Sequence, residues 1–215
     1  AYSASKAAVK AYGEALRGWL AADGIKVSVV CPGFVRTRMT DKNPFPMPFI
    51  IDADKATQAE LERNLEVIAH EIAHQWFGNL VTLRWWEGAW LNEAFATFME
   101  EKAVDARRPE WNRWLSFQVG NKAWAHGTDH LASTRPIEFE VQSPVEVEGM
   151  FDSITYGKGS AVLRQIEQFI GEESFRQGVG SYLRKHAYSN TETSDLWEGL
   201  DGTSQWPVGA IMNTW

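Results

Sequence analysis

The chain has 215 residues, 44% of them hydrophobic and 23% charged, with a formal net charge of −7 and one cysteine. This composition is ordinary for a soluble globular protein; it allows a core, excludes an internal disulfide and contains no apolar run of about 18 residues able to span a bilayer. Residues 1–64 hold nine Lys/Arg and seven Asp/Glu, while 65–215 hold twelve and twenty-one together with ten of the eleven tryptophans, so the larger, acidic part lacks the basic footprint that nucleic acid requires.

The abrupt shift suggests two segments of different origin. A start at Ala1 rather than methionine points to a fragment or a processed product, and no basic-then-apolar leader is present. The lone Cys31 fits a reducing compartment, and a cytoplasmic setting is expected.

From Ser3 to about Ala22, Ala8, Tyr12, Ala15/Leu16 and Trp19/Leu20 recur at helical spacing, and Asp23-Gly24 supplies a stop. Lys26 to Cys31 is a short β-branched run closed by Pro32-Gly33, which predicts a buried strand and a turn. Helix, strand and turn in that order form one step of an α/β sheet. Tyr2-Ser3-Ala4-Ser5-Lys6 and Val30-Cys31-Pro32-Gly33-Phe34-Val35-Arg36-Thr37 resemble the second half of a short-chain dehydrogenase/reductase, a likeness that continues to roughly Ala56. The resemblance implies a general acid/base role for Tyr2, a pKa-lowering role for Lys6, and an approach of Pro32, Gly33 and Thr37 to a nicotinamide. A dinucleotide site also needs a Gly-rich turn after a first strand, and neither that turn nor the family's upstream serine precedes Tyr2. These residues are therefore expected not to function, and an NAD(P)-dependent oxidoreductase fragment is kept only as an alternative.

Leu61, Leu65, Ile68 and Ile72 are spaced i, i+4, i+7, i+11, which predicts a helix from near Asp54 to Gly78-Asn79 that packs along this stripe. His70 and His74 lie on the opposite side, four residues apart on nearly the same face, with Glu71 beside them. Two imidazoles and a flanking carboxylate can bind zinc and place a general base at its water, although His-Glu-x-x-His alone also fits two surface histidines. Glu93 follows nineteen positions after His74 on a second helical pattern of Leu91, Phe95, Phe98 and Met99, facing away from that stripe. If the chain turns back through Leu80-Val81-Thr82-Leu83, Glu93 becomes a third ligand and one zinc position stays open, the pattern of a catalytic site.

These residues, with Gln75-Trp76-Phe77-Gly78-Asn79, Trp85-Trp86 and Trp90-Leu91-Asn92-Glu93-Ala94-Phe95-Ala96, closely resemble zinc aminopeptidases of the aminopeptidase N type, members of the gluzincins, from about Arg63 to Trp215. The resemblance implies one Zn²⁺ on His70, His74 and Glu93, with Glu71 as general base. It assigns nothing to Glu87, Glu100 and Glu101, which are expected to be solvated or salt-bridged.

Farther on, Arg107-Arg108-Pro109-Glu110 breaks the pattern and Trp111, Trp114, Leu115 and Val119 restart a helix. His126 and His130 have no third ligand in view and are expected on the surface or in a loop. Tyr156, in Tyr156-Gly157-Lys158-Gly159, matches the tyrosine that in the aminopeptidases donates a hydrogen bond to the oxyanion. Helices are expected around Val162 to Ile170 with Gly171 as stop, around Phe175 to Leu183, after the Asn190 to Asp195 capping cluster, and from Val208.

The expected architecture is mainly α: a helical, thermolysin-like (gluzincin) zinc peptidase domain over 63–215, preceded over 1–62 by a short α/β fragment of a Rossmann-type dehydrogenase. The expected activity is zinc-dependent peptide hydrolysis on a peptide or aminoacyl substrate, with no nucleic acid or membrane partner; the alternative is a non-catalytic metal-binding chimera. The family's Gly-x-Met-Glu-Asn element, which captures a free amino end, does not occur, so exopeptidase specificity is the less expected part.

Overall fold

A computed structural model describes residues 57–143 and 146–213 together with the strand residues 35–36 and 51–52. The helix expected over 3–22, the strand of 26–31, and Tyr2, Lys6, Pro32, Gly33 and Thr37 lie outside the described residues. The chain divides into two units, Ala1–Gln58 and Ala59–Trp215. In the first, β1 (Val35–Arg36) pairs in parallel with β2 (Ile51–Asp52), Val35 opposite Ile51.

The second unit is mainly helical. It opens with α1 (Gln58–Ala73), which leads through turns into β3 (Val81–Leu83) and then α2 (Ala89–Arg107). Two shorter helices follow, α3 (Arg113–Val119) and α4 (Asn121–Asp129). A π-helical turn, Ile154–Lys158, runs directly into α5 (Gly159–Ile170), after which come α6 (Glu172–Lys185), β4 (Ser189–Thr191), α7 (Thr193–Asp201) and α8 (Val208–Met212). The strands β3 and β4 pair in parallel, with Val81 opposite Ser189 and Leu83 opposite Thr191. Among the described residues no helix is long and apolar enough to cross a membrane.

The core forms around α2, which is buried along most of its length, its carboxylates Glu93, Glu100 and Glu101 included. Trp90, Leu91, Ala94, Phe95 and Phe98 pack with Val162, Leu163 and Ile166 of α5, Phe175, Val179 and Tyr182 of α6, and Leu196, Trp197 and Leu200 of α7. Phe95 is fully buried and stacks on Phe77 with centroids 4.3 Å apart; burying such a ring contributes about 1.5–3 kcal/mol over leaving it in water. Gly159 sets how closely α5 meets α2, because a Cβ there would lie 2.6 Å from the Ala94 Cβ. That contact adjoins Glu93, so the spacing of these two helices bears directly on the site.

One expectation fails. The stripe on α1 fails at three of its four positions: Leu65 is half-buried, but Ile68 and Ile72 are 54% and 53% exposed, Leu61 is exposed as well, and Ala73 is the one buried residue of the helix. The helical period holds, but the inward face is shifted by one residue to Glu62, Glu66, Ala69/His70 and Ala73. Contacts with charged partners, not apolar burial, orient this helix. Its start at Gln58 instead of Asp54 and its end at Ala73, with turns to Leu80, are smaller departures.

Candidate metal centre

The inward face of α1 presents His70, and His74 follows one residue beyond the helix, its amide still bonded to the His70 carbonyl at 3.2 Å. From α2, Glu93 meets both imidazoles. Its Oε2 lies 3.4 Å from His70 Nε2 and 3.5 Å from His74 Nε2, and the three residues form a group able to hold a metal ion. A tetrahedral zinc with bonds of about 2.0–2.1 Å separates its ligand atoms by roughly 3.4 Å, so the donor set fits that ion in both chemistry and spacing.

The outer nitrogens of both rings are held. His70 Nδ1 donates to Glu100 Oε2 at 2.7 Å, and His74 Nδ1 faces Asn92 Oδ1 at 2.8 Å and the Phe77 carbonyl at 3.1 Å. Carboxylate and carbonyl oxygens only accept, so each Nδ1 carries a hydrogen, and the Nε2 atoms turned toward Glu93 are the pair that a metal would take in place of their own hydrogens. Gly78 makes room for Asn92. Its φ is +122°, and a Cβ there would lie 2.5 Å from Asn92 Oδ1.

Electrostatics tie the three residues together. Burial works to lower the His70 pKa, but hydrogen bonds to Glu100 and Glu93 outweigh it and raise it to about 9. For His74, too, burial is outweighed, by Glu93 and the Phe77 carbonyl, and its pKa moves upward. Glu93 shows the mirror image: burial opposes its charge, yet the two imidazoles bring it down to about 2. Such a site carries a proton that a metal must displace. Zinc affinity is therefore expected to climb with pH up to about 9, where His70 becomes neutral. In Glu100→Gln the ring loses both its orienting carboxylate and part of its hold on that proton. The affinity should fall by about 10–100-fold at the alkaline end and by less near pH 6, as read by chelator competition across that range; an unchanged affinity throughout would exclude the role of Glu100.

Glu71 and Tyr156 line one cavity of about 390 Å³ with His70, Thr97, Glu100, Asn121, Trp124 and Phe151. Tyr156 sits on the π-helical turn, its ring stacked near His70 with centroids 6.2 Å apart. The turn is pinned at its start, where the amides of Ile154 and Thr155 both donate to Asp152 Oδ1 at 3.0 Å and Arg135 Nη2 donates to the same atom at 2.8 Å. Burial and the nearby negative charge of Glu93, whose carboxylate accepts a hydrogen bond from the phenol, push the Tyr156 pKa upward, so it keeps its proton.

The structure thus brings His70, His74, Glu93, Glu71 and Tyr156 to one place. His126 and His130 lie apart from it, exposed at the end of α4 with their rings stacked 6.0 Å apart. Glu101 is salt-bridged as expected, to Arg113. Glu100 too is paired as expected, with His70 at 2.7 Å, and being buried it also serves as the acceptor that orients the ring, a role not foreseen. The seven-residue step from Glu93, two turns along the same face of α2, was the signal that could have found it. Asn92 was missed because its partner comes from the turn after α1.

Comparison with known proteins divides the chain unevenly. Residues 1–45 match the short chain dehydrogenase model, and residues 44–215 match the Peptidase family M1 domain. Leucyl aminopeptidase of Saccharolobus solfataricus is 49% identical over 162 residues, 75% of this chain and 21% of that protein. Tricorn protease-interacting factor F2 of Thermoplasma volcanium is 49% identical over 148 residues, 69% of this chain and 19% of its own. Aminopeptidase 2, mitochondrial, of Saccharomyces cerevisiae is 42% identical over 183 residues, 85% of this chain and 18% of its own. The chain spans about a fifth of the length of these relatives. With a domain match that runs from residue 44 to the last residue, over the metal cluster and the Tyr156 turn alike, the chain belongs to peptidase family M1.

Proposed function

We propose that residues 63–215 carry out zinc-dependent hydrolysis of peptide or aminoacyl substrates, in the manner of the aminopeptidases, and that residues 1–62 are a dehydrogenase-derived fragment without a working cofactor site. The observation that carries the reading is the approach of two histidine Nε2 atoms to one Glu93 oxygen, beside a cavity that Glu71 and Tyr156 also line. His70, His74 and Glu93 would hold Zn²⁺, which when bound supplies Lewis-acid polarisation of the scissile carbonyl and lowers the pKa of the attacking water. Glu71 takes the proton from that water and passes it to the leaving amine. Tyr156 donates its phenolic hydrogen to the oxygen that gains negative charge as the carbonyl is attacked. Relatives named as aminopeptidases support the reaction class, and a cytoplasmic setting completes the reading.

Metal analysis joined to an aminoacyl and peptide hydrolysis assay tests the proposal. One zinc per chain is expected, with hydrolysis that a chelator abolishes and added zinc restores. Zinc uptake without hydrolysis on any peptide would reduce the chain to a metal-binding chimera, and no uptake at all would overturn the reading.

A further inference from the structure

α1 carries His70 and Glu71 and leads directly into His74, yet it buries one residue. Its apolar side chains at 61, 68 and 72 face outward. The bonds His70–Glu100 and His74–Asn92 and the Phe77–Phe95 stack tie its C-terminal end to α2, which carries Glu93; the preceding turns need a hold of another kind, because a donor set fits zinc only while its atoms stay within a few tenths of an ångström of their places.

Arg113, the first residue of α3, supplies the link. It is 5% exposed and its guanidinium reaches in two directions. Toward α2, Nε and Nη2 donate in a fork to the two oxygens of Glu101, both at 3.1 Å, and Glu101 is 1% exposed. Toward α1, Nη1 donates to Glu62 at 3.2 Å and Nη2 pairs with Glu66. Glu62 and Glu66 are one helical turn apart on the face that also presents His70, and Glu101 lies eight residues beyond Glu93 on α2. The planar fork of arginine can bind several carboxylates at fixed angles, which the single ammonium of lysine cannot do.

We infer that Arg113 is a positioning residue of the metal centre: by clamping Glu62 and Glu66 of α1 to Glu101 of α2, it fixes His70 and His74 at the spacing from Glu93 that zinc requires. The inference rests on the proposed zinc reading of that site. The hydrogen bonds and ion pairs of Arg113 go to Glu62, Glu66, Glu101 and Asp105 and not to His70, His74 or Glu93, so its effect passes through the placement of α1.

The test uses the full chain. In Arg113→Met combined with Glu101→Met, the buried pair gives way to apolar side chains of similar size, a change that is often neutral or stabilising and that leaves the net charge unaltered. Glu62 and Glu66, however, lose their cation in the double variant, so it should melt below the wild type; studied below that melting point, its zinc affinity, read by chelator competition, should drop about tenfold, as for loss of a group that orients a metal ligand. A merely structural role would move the melting temperature and leave the affinity of the folded protein alone. A second variant, Glu62→Ala with Glu66→Ala, keeps the buried pair and cuts only the α1 side, replacing both residues with the strongest helix former. In the zinc-free protein its amide exchange over 62–73 should quicken while that of α2 stays as in the wild type. Wild-type zinc affinity in the folded first variant, or wild-type exchange across α1 in the second where the first does not fold, overturns the inference. If the wild type itself binds no zinc, the reading of the site fails, and the exchange measurement still decides whether Arg113 holds α1.

Discussion

Glu71→Gln is expected to remove hydrolysis while leaving zinc in place. Glu71 lies between the ligands in sequence but is not one of them: it is exposed on α1 and reaches the cavity shared by His70, Thr97 and Tyr156. Glutamine keeps the length and one acceptor oxygen of the side chain, yet it cannot take a proton, so only general-base function is lost. Such a loss costs about 10²–10⁴-fold in rate, and it should fall on kcat because the proton moves only as the water attacks. The same preparation should give one zinc per chain by metal analysis. A glutamine variant that kept more than a tenth of the wild-type rate would move the base elsewhere, and one that lost its zinc would make Glu71 part of the ligand set.

How much of this was legible in the sequence differs from element to element. The helices α5 and α6 were readable because Val162, Leu163 and Ile166, then Phe175, Val179 and Tyr182, fall on faces that are buried in the structure, and because Gly171 ends the first of them. The meeting of His70, His74 and Glu93 was readable because the i, i+4 step of a helix is a local rule, and the later glutamate sits on a strongly patterned helix of its own. α1 shows the limit. Its 3.6-residue period was plain, but the phase was assigned to the apolar residues, whereas its inward side holds Glu62, Glu66 and His70. A helix oriented by charge presents to its neighbours the face that a hydrophobic pattern assigns to water. Glu100, Asn92 and Arg113 were out of reach for a related reason. Each acts through a partner 30, 18 or 12 residues away or more, and no local periodicity encodes such pairings. The π-helical turn under Tyr156 was equally hidden, since one inserted residue in a helix leaves no repeat to detect.

Tyr156→Phe should lower kcat by about 10²–10³, the loss typical of one oxyanion donor, with KM and zinc content little changed. The placement of the phenol is consistent with that role. It lines the cavity beside His70 and Glu71, on a turn that Asp152 and Arg135 hold from below. Its electrostatics point the same way. A phenol donates only while protonated, and burial together with the charge of Glu93 moves the Tyr156 pKa above its ordinary value near 10. The donor form is therefore present throughout the neutral and mildly alkaline range, and it would be lost only as pH rose past the raised pKa. It follows that the wild-type rate should show no alkaline decline between pH 8 and about 10 that is missing from Tyr156→Phe. Parallel pH profiles of the two proteins, displaced vertically over that interval, are the expected result. Convergence of the profiles toward pH 10 would mean that the phenol ionises in the working range, and a variant with wild-type kcat would leave the oxyanion to another donor.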